Sequence, residues 1–186
     1  MNTIAHVIVA SAAFSRPNAP KRNLAVAVGA IVPDASMFVF FAWSRLQGWS
    51  GNETWNVRYW MEPWQTLSAI SNSFVLFTAL LALAIWRKWT LVGLIAAAAL
   101  THLALDFPLH ADDAHRHLWP VTDWRFKSPV SYWDTAANGQ WGAGIETAVV
   151  LAATVLIWRR FTGLATRSLL AVLLALQIAL LVIQLS

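Results

Sequence analysis

The chain has no cysteine, and only 12% of its 186 residues are charged. The first absence excludes disulfide bonds, thiolate nucleophiles and Cys-ligated zinc or iron-sulfur centres, so any metal must rest on His, Asp or Glu. The second excludes an ordinary soluble domain, in which about a quarter of residues are charged. Alternating apolar and polar residues of the kind that marks strands are also missing, as are a serine nucleophile elbow, a phosphate-binding glycine loop and an H-E-x-x-H pair. What is present is apolar: 58% hydrophobic residues, 12 of them tryptophan, with a mean hydropathy of +0.55. Such a composition points to an integral membrane protein.

Five apolar stretches, residues 23–43, 64–86, 89–107, 141–158 and 166–185, are each near the length of about 20 residues that a helix needs to cross hydrocarbon. Residues 3–14 are apolar but short, and no basic segment precedes them, which argues against a cleaved signal peptide. They read as a half-inserted or tilted helix packed on the bundle. The expected fold is therefore all-α: one integral membrane domain over residues 1–186, with five long membrane helices, a short N-terminal apolar helix, and two longer loops at 44–63 and 108–140.

The placement of charge orients this bundle. Arg16, Lys21 and Arg22, then Arg87 and Lys88, then Arg159, Arg160 and Arg167 put eight of the 13 basic residues, and no acid, in three connections. By the positive-inside rule these face the cytoplasm, and the two long loops face outward, which in a bacterial inner membrane is the periplasm. The same rule accounts for the net charge of +4 without nucleic acid as a partner. Membrane lipid is the expected partner. Tryptophans at the ends of the apolar stretches fit an interfacial belt, and those in the outer loops suggest loops lying on the membrane surface.

Acids and histidines gather on the outer side. The run from 101 to 119 reads T-H-L-A-L-D-F-P-L-H-A-D-D-A-H-R-H-L-W. His102 and Asp106 share a helical face at i, i+4, and Pro108 ends that helix. His110, Asp112, Asp113, His115 and His117 follow in a loop able to fold back over the same point. Mixed imidazole and carboxylate groups suit a divalent cation, zinc in particular, and ionisable groups inside a membrane segment are costly unless paired or functional. Asp34 follows Pro33 near the middle of the first long stretch and needs a partner, with His6, His102 and Asn72 as candidates. Glu146 lies near the outer end of the fourth stretch, where it could act as ligand, base or packing carboxylate. Arg125 and Lys127 flank Phe126 and could hold a phosphate beside a metal, or lipid phosphates alone.

These residues resemble the bacterial inner-membrane proteins described as membrane-bound metal-dependent hydrolases, a family that looks distantly similar to zinc-dependent phospholipase C and single-strand nucleases. The resemblance rests on the N-terminal helix with His6, the Pro33-Asp34 pair, the His102-x-x-x-Asp106 helix and the run from Leu118 to Pro129. It implies His6, Asp34, His102 and Asp106 as metal ligands, completed by a histidine of the 110–117 loop and by Glu146. Two departures stand out. The family's Pro-Asp-x-Asp is here Pro33-Asp34-Ala35-Ser36, and histidines expected before the second long helix are replaced around Ser71-Asn72-Ser73, so a reduced or remodelled site is expected. The expected activity is hydrolysis of a lipid or polyprenyl phosphoester at the periplasmic face, with Glu146 or Asp34 as general base. The rival expectations are a non-catalytic metal-binding or assembly protein and an ion transporter relaying through Asp34, His102 and Asp106.

Overall fold

The computed structural model describes the backbone of residues 1–185 and the side chains of residues 1–183. Among them the chain is helical with no strand. The longer helices are α1 (Thr3–Phe14), α2 (Pro20–Ile31), α3 (Ala35–Leu46), α4 (Gly51–Asn56), α5 (Glu62–Ser71), α6 (Phe74–Trp86), α7 (Thr90–Asp106), α8 (Gly139–Arg160) and α9 (Leu164–Leu185). Five spans are long and apolar enough to cross a membrane: Pro20–Leu46, Glu62–Trp86, Thr90–Leu109, Gly139–Arg160 and Leu164–Ile183. Helix α1 is shorter than these and is held inside the bundle by α2, α7, α8 and α9, burying Ala5, His6, Ile8, Ala10 and Ala12.

Two of the spans are discontinuous, and the breaks meet. Pro33 lacks an N–H, and the first span passes through a 3-10 turn, Val32–Asp34, between α2 and α3. The 64–86 stretch divides at Asn72, after which the hydroxyl of Ser73 caps α6 by accepting from the Leu76 N–H. Broken helices expose backbone groups that lipid cannot satisfy, so the partners must be internal. Asn72 supplies them, donating through Nδ2 to the carbonyls of Pro33 at 3.2 Å and Ser68 at 3.0 Å. Beside it the Ser71 hydroxyl donates to Ser36 Oγ at 2.8 Å.

Small residues bring α2 and α7 together. A Cβ on Gly29 would lie 2.3 Å from the Ile95 carbonyl oxygen, and Ala25, Ala30 and Ala98 line the same seam. This close approach sets Ala30 level with His102. On the other side Ile8, Val150, Ile157 and Leu170 join α1, α8 and α9. Above the breaks, the buried Phe40 ring packs against Trp49, Trp55, Tyr59 and Trp64. These aromatic contacts order residues 44–63 as a cap.

Residues 108–140 form the second half of the cap and are tied down by their backbone. Ser128 N–H donates to His110 O, Tyr132 N–H to Leu109 O, and Phe74 N–H, at the start of α6, to His117 O. Gly142 admits this loop against α8, since a Cβ there would lie 2.2 Å from the Ser131 carbonyl.

Candidate metal centre

Helix α7 carries His102 and Asp106 one turn apart, and its close packing on α1 and α2 completes the centre. Asp106 is 2% exposed and is approached by imidazoles from three directions. Its Oδ1 lies 2.9 Å from His6 Nε2 of α1, and its Oδ2 lies 3.0 Å from His102 Nε2 and 3.5 Å from His110 Nε2. The rings of His6 and His102 stack at 3.5 Å with 11° between their planes. His6, His102 and Asp106 bring one potential ligand atom each within 4.8 Å of one another, close enough for the three to hold a single metal ion. The Met1 amine also contacts Asp106 Oδ1.

The outer partners of the imidazoles fix their orientation. A carbonyl oxygen can only accept, so His102 Nδ1 carries the hydrogen it donates to Ala30 O at 2.7 Å, which leaves the Nε2 lone pair facing Asp106 and Asp34. His110 Nδ1 is held by Asp113 Oδ2 at 2.9 Å, and Trp133 Nε1 donates to the same oxygen at 3.0 Å. His102 Nε2, His110 Nε2 and His6 Nδ1 are buried and have no hydrogen-bond partner. Buried unsatisfied nitrogens are costly, and the two Nε2 atoms converge on the Asp106 carboxylate.

Electrostatics differ across the loop histidines. Burial opposes charge on both members of the His110–Asp113 pair, but their mutual hydrogen bond and, for His110, the neighbouring Asp106 carboxylate outweigh it, raising His110 to about 9 and lowering Asp113 to about 2. Burial, aided by the neighbouring His110 and His117, pushes His115 well below the ordinary histidine value and keeps it neutral. Burial likewise lowers His117, against the opposing pull of the Asn72 carbonyl.

Above Asp106 opens a cavity of about 480 Å³, lined by the start of the chain, the Pro33–Asp34 turn and residues of the 44–63 and 108–140 segments. Asp34 lies in its wall, accepting from the Thr3 hydroxyl at 2.5 Å and standing 3.6 Å from His102 Nε2. Of the residues singled out by sequence, His110, Asp112, Asp113 and His115 also line it, with His115 Nδ1 3.1 Å from Ser68 Oγ. His117 does not. Its Nδ1 donates to the Asn72 carbonyl at 2.9 Å, and its ring sits between Phe74 and Phe107, so it ties the loop to the break in the second span.

Glu146 stands behind the cavity wall. Its Oε1 accepts from the side chain of Asn2 and, at 2.7 Å, from Gln177 Nε2 of α9. Arg125 lies outside the cavity lining, donating to Ala114 O and Gln65 Oε1 at 2.8 Å each and stacking over Trp60. Lys127 pairs with Asp112 at 2.9 Å on the exposed surface. Thr3, Asn2 and the Ala30 carbonyl were not singled out by sequence. A backbone carbonyl leaves no sequence signal, whereas Gln177, a lone amide in the last apolar helix, was open to the same reading as Asn72. No family model, curated protein or solved structure matches the chain.

Proposed function

We propose that the chain is a membrane-embedded, metal-dependent hydrolase acting on a lipid or polyprenyl phosphoester at the periplasmic face of a bacterial inner membrane. The observation that carries this reading is the convergence of His6 and His102 on Asp106, which lies at the floor of a cavity walled by Asp34. His6, His102 and Asp106, with His110 beside them, would hold a divalent ion such as zinc, which would supply Lewis-acid polarisation of a phosphoryl oxygen and activation of water. The chain's own residues do the rest. Asp34, fixed by Thr3, is placed to take a proton from the attacking water. The Ala30 carbonyl and Asp113 hold His102 and His110 in their coordinating tautomers. Glu146 positions Asn2 from behind, and the aromatic cap excludes water above.

One observation favours a non-catalytic metal-binding protein instead. The described lining of the cavity includes Asp34, Asp106, Asp112 and Asp113 but no lysine or arginine, so an anionic substrate would rely on the metal alone for its attraction.

Metal analysis of the detergent-purified protein separates these readings. Stoichiometric metal in the wild type, lost in His102→Ala and Asp106→Ala, with turnover on a panel of phosphoesters, is the expected result. Metal without turnover moves the conclusion to the second reading, and a wild type without metal overturns both. The orientation is tested by a topology reporter at the Arg87–Lys88 turn, expected to read cytoplasmic.

A further inference from the structure

Helix α1 leaves a second concavity, of about 260 Å³, at the basic end of the bundle and far from the cavity described above. Its walls are apolar, with Ile8 and Ala27 on one side and Phe161, Leu169 and Leu170 on the other. Leu169 is 60% exposed, so the groove is open sideways, toward where hydrocarbon would lie. Small polar groups, Ser11, Ser15, Asn23 and Thr166, interrupt the apolar lining. This gradation from apolar wall to hydroxyl and amide is the one a diacyl lipid follows from chain to ester.

Charge at the mouth selects among lipids. None of Arg16, Lys21, Arg22, Arg159, Arg160 and Arg167 has an acidic partner among the described residues, whereas on the opposite side Arg58, Arg116 and Lys127 are ion-paired and Arg45 and Arg125 are not. Two of these cations are brought to the groove by the end of α1. Arg160 donates to the Ser15 carbonyl at 2.9 Å, and Arg22 to the Phe14 carbonyl at 2.6 Å. Arg167 is fixed on the far lip by the Phe161 carbonyl at 3.1 Å and by stacking over Trp158. Arg167 Nη2 also donates to the Trp158 carbonyl at 3.3 Å, but each guanidinium carries five N–H donors and so keeps some beyond these bonds, and a phosphate is the anion whose geometry they match.

We infer that this groove is a binding site for an anionic diacyl phospholipid, with one acyl chain between α1–α2 and α9 and the phosphate held by Arg160 and Arg167. The lipid braces α1 against α9. Because α1 carries His6, an occupied groove also supports the metal centre at the other end of the helix. The site does not depend on the proposed hydrolase activity.

The test is native mass spectrometry of the full-length detergent-purified protein, offered phosphatidylglycerol or phosphatidylethanolamine with identical acyl chains. One tightly retained phosphatidylglycerol is expected, about tenfold favoured over phosphatidylethanolamine, each nearby cation contributing to that preference. The Arg160→Ala, Arg167→Ala double variant should lose the preference, and Arg160→Lys with Arg167→Lys should restore most of it. Ala27→Phe, which fills the groove and keeps every charge, should lower retention by a similar factor. If Ala27→Phe does not fold, Thr166→Phe at the mouth makes the same test. Equal retention of the two lipids overturns the proposal. So does phosphatidylglycerol retention that survives both groove-filling variants, because the preference would then belong to the basic surface alone.

Discussion

His102 Nδ1 donates to the Ala30 carbonyl at 2.7 Å, across the seam where Gly29 lets α2 reach the backbone of α7. The bond joins packing to chemistry, because the same contact that closes the two spans also fixes which imidazole nitrogen faces Asp106. Gly29→Ala is therefore expected to do two things. Its Cβ would meet Ile95 O at 2.3 Å, forcing the helices apart at a cost of about 1–3 kcal/mol. It should also weaken metal binding, although Gly29 touches no ligand. Thermal unfolding and chelator competition on the same preparation check both, and a variant with wild-type metal affinity would break the link.

Asp113 reaches the centre only through His110. Asp113→Asn keeps the volume but loses the carboxylate that orients the imidazole, and metal affinity is expected to fall about 10–100-fold without loss of fold. Competition with a fluorescent chelator measures it. An unchanged affinity would remove His110 from the ligand set.

Asn72 joins the two helix breaks. Asn72→Ala leaves the Pro33 carbonyl without its donor inside the bundle, an expected loss of about 1–3 kcal/mol. Because Asn72 side chain and Asp34 share that junction, turnover should fall together with the unfolding temperature in detergent. A variant as stable as the wild type would mean that water or lipid replaces the bond.

Glu146→Ala leaves the buried amide of Gln177 and the half-buried amide of Asn2 without their common acceptor. The expected cost is about 1–3 kcal/mol, with metal stoichiometry retained, because Glu146 stands outside the ring of atoms around Asp106. Loss of the metal at wild-type stability would instead make Glu146 a ligand. Asp34→Asn is the complementary variant, expected to keep metal and stability and to lose turnover.

The five spans, the short α1 and the i, i+4 face of His102 and Asp106 are legible in residue order, because hydropathy over 20 residues and helical spacing are local properties. Pro33 marks its own break for the same reason. The break at Asn72 is less visible. Ser71, Asn72 and Ser73 interrupt an apolar run, but an isolated polar triplet reads equally well as helix-packing contacts, and it becomes a break only because Pro33 O and His117 stand opposite to receive its groups.

Arg125 and Lys127 show the same limit in a loop. Their sequence neighbours allow a phosphate grip, but the fold turns Arg125 onto Gln65 and Ala114 and sets Lys127 on Asp112. Long flexible side chains go where complementary groups are brought to them. Composition and order alone thus settle that this is a cysteine-free membrane bundle with its acids and histidines gathered near one end. Which histidines meet one carboxylate, and which nitrogen each presents, is decided only when α1, α2 and α7 pack, because coordination depends on distances of a few ångströms between segments about 100 residues apart.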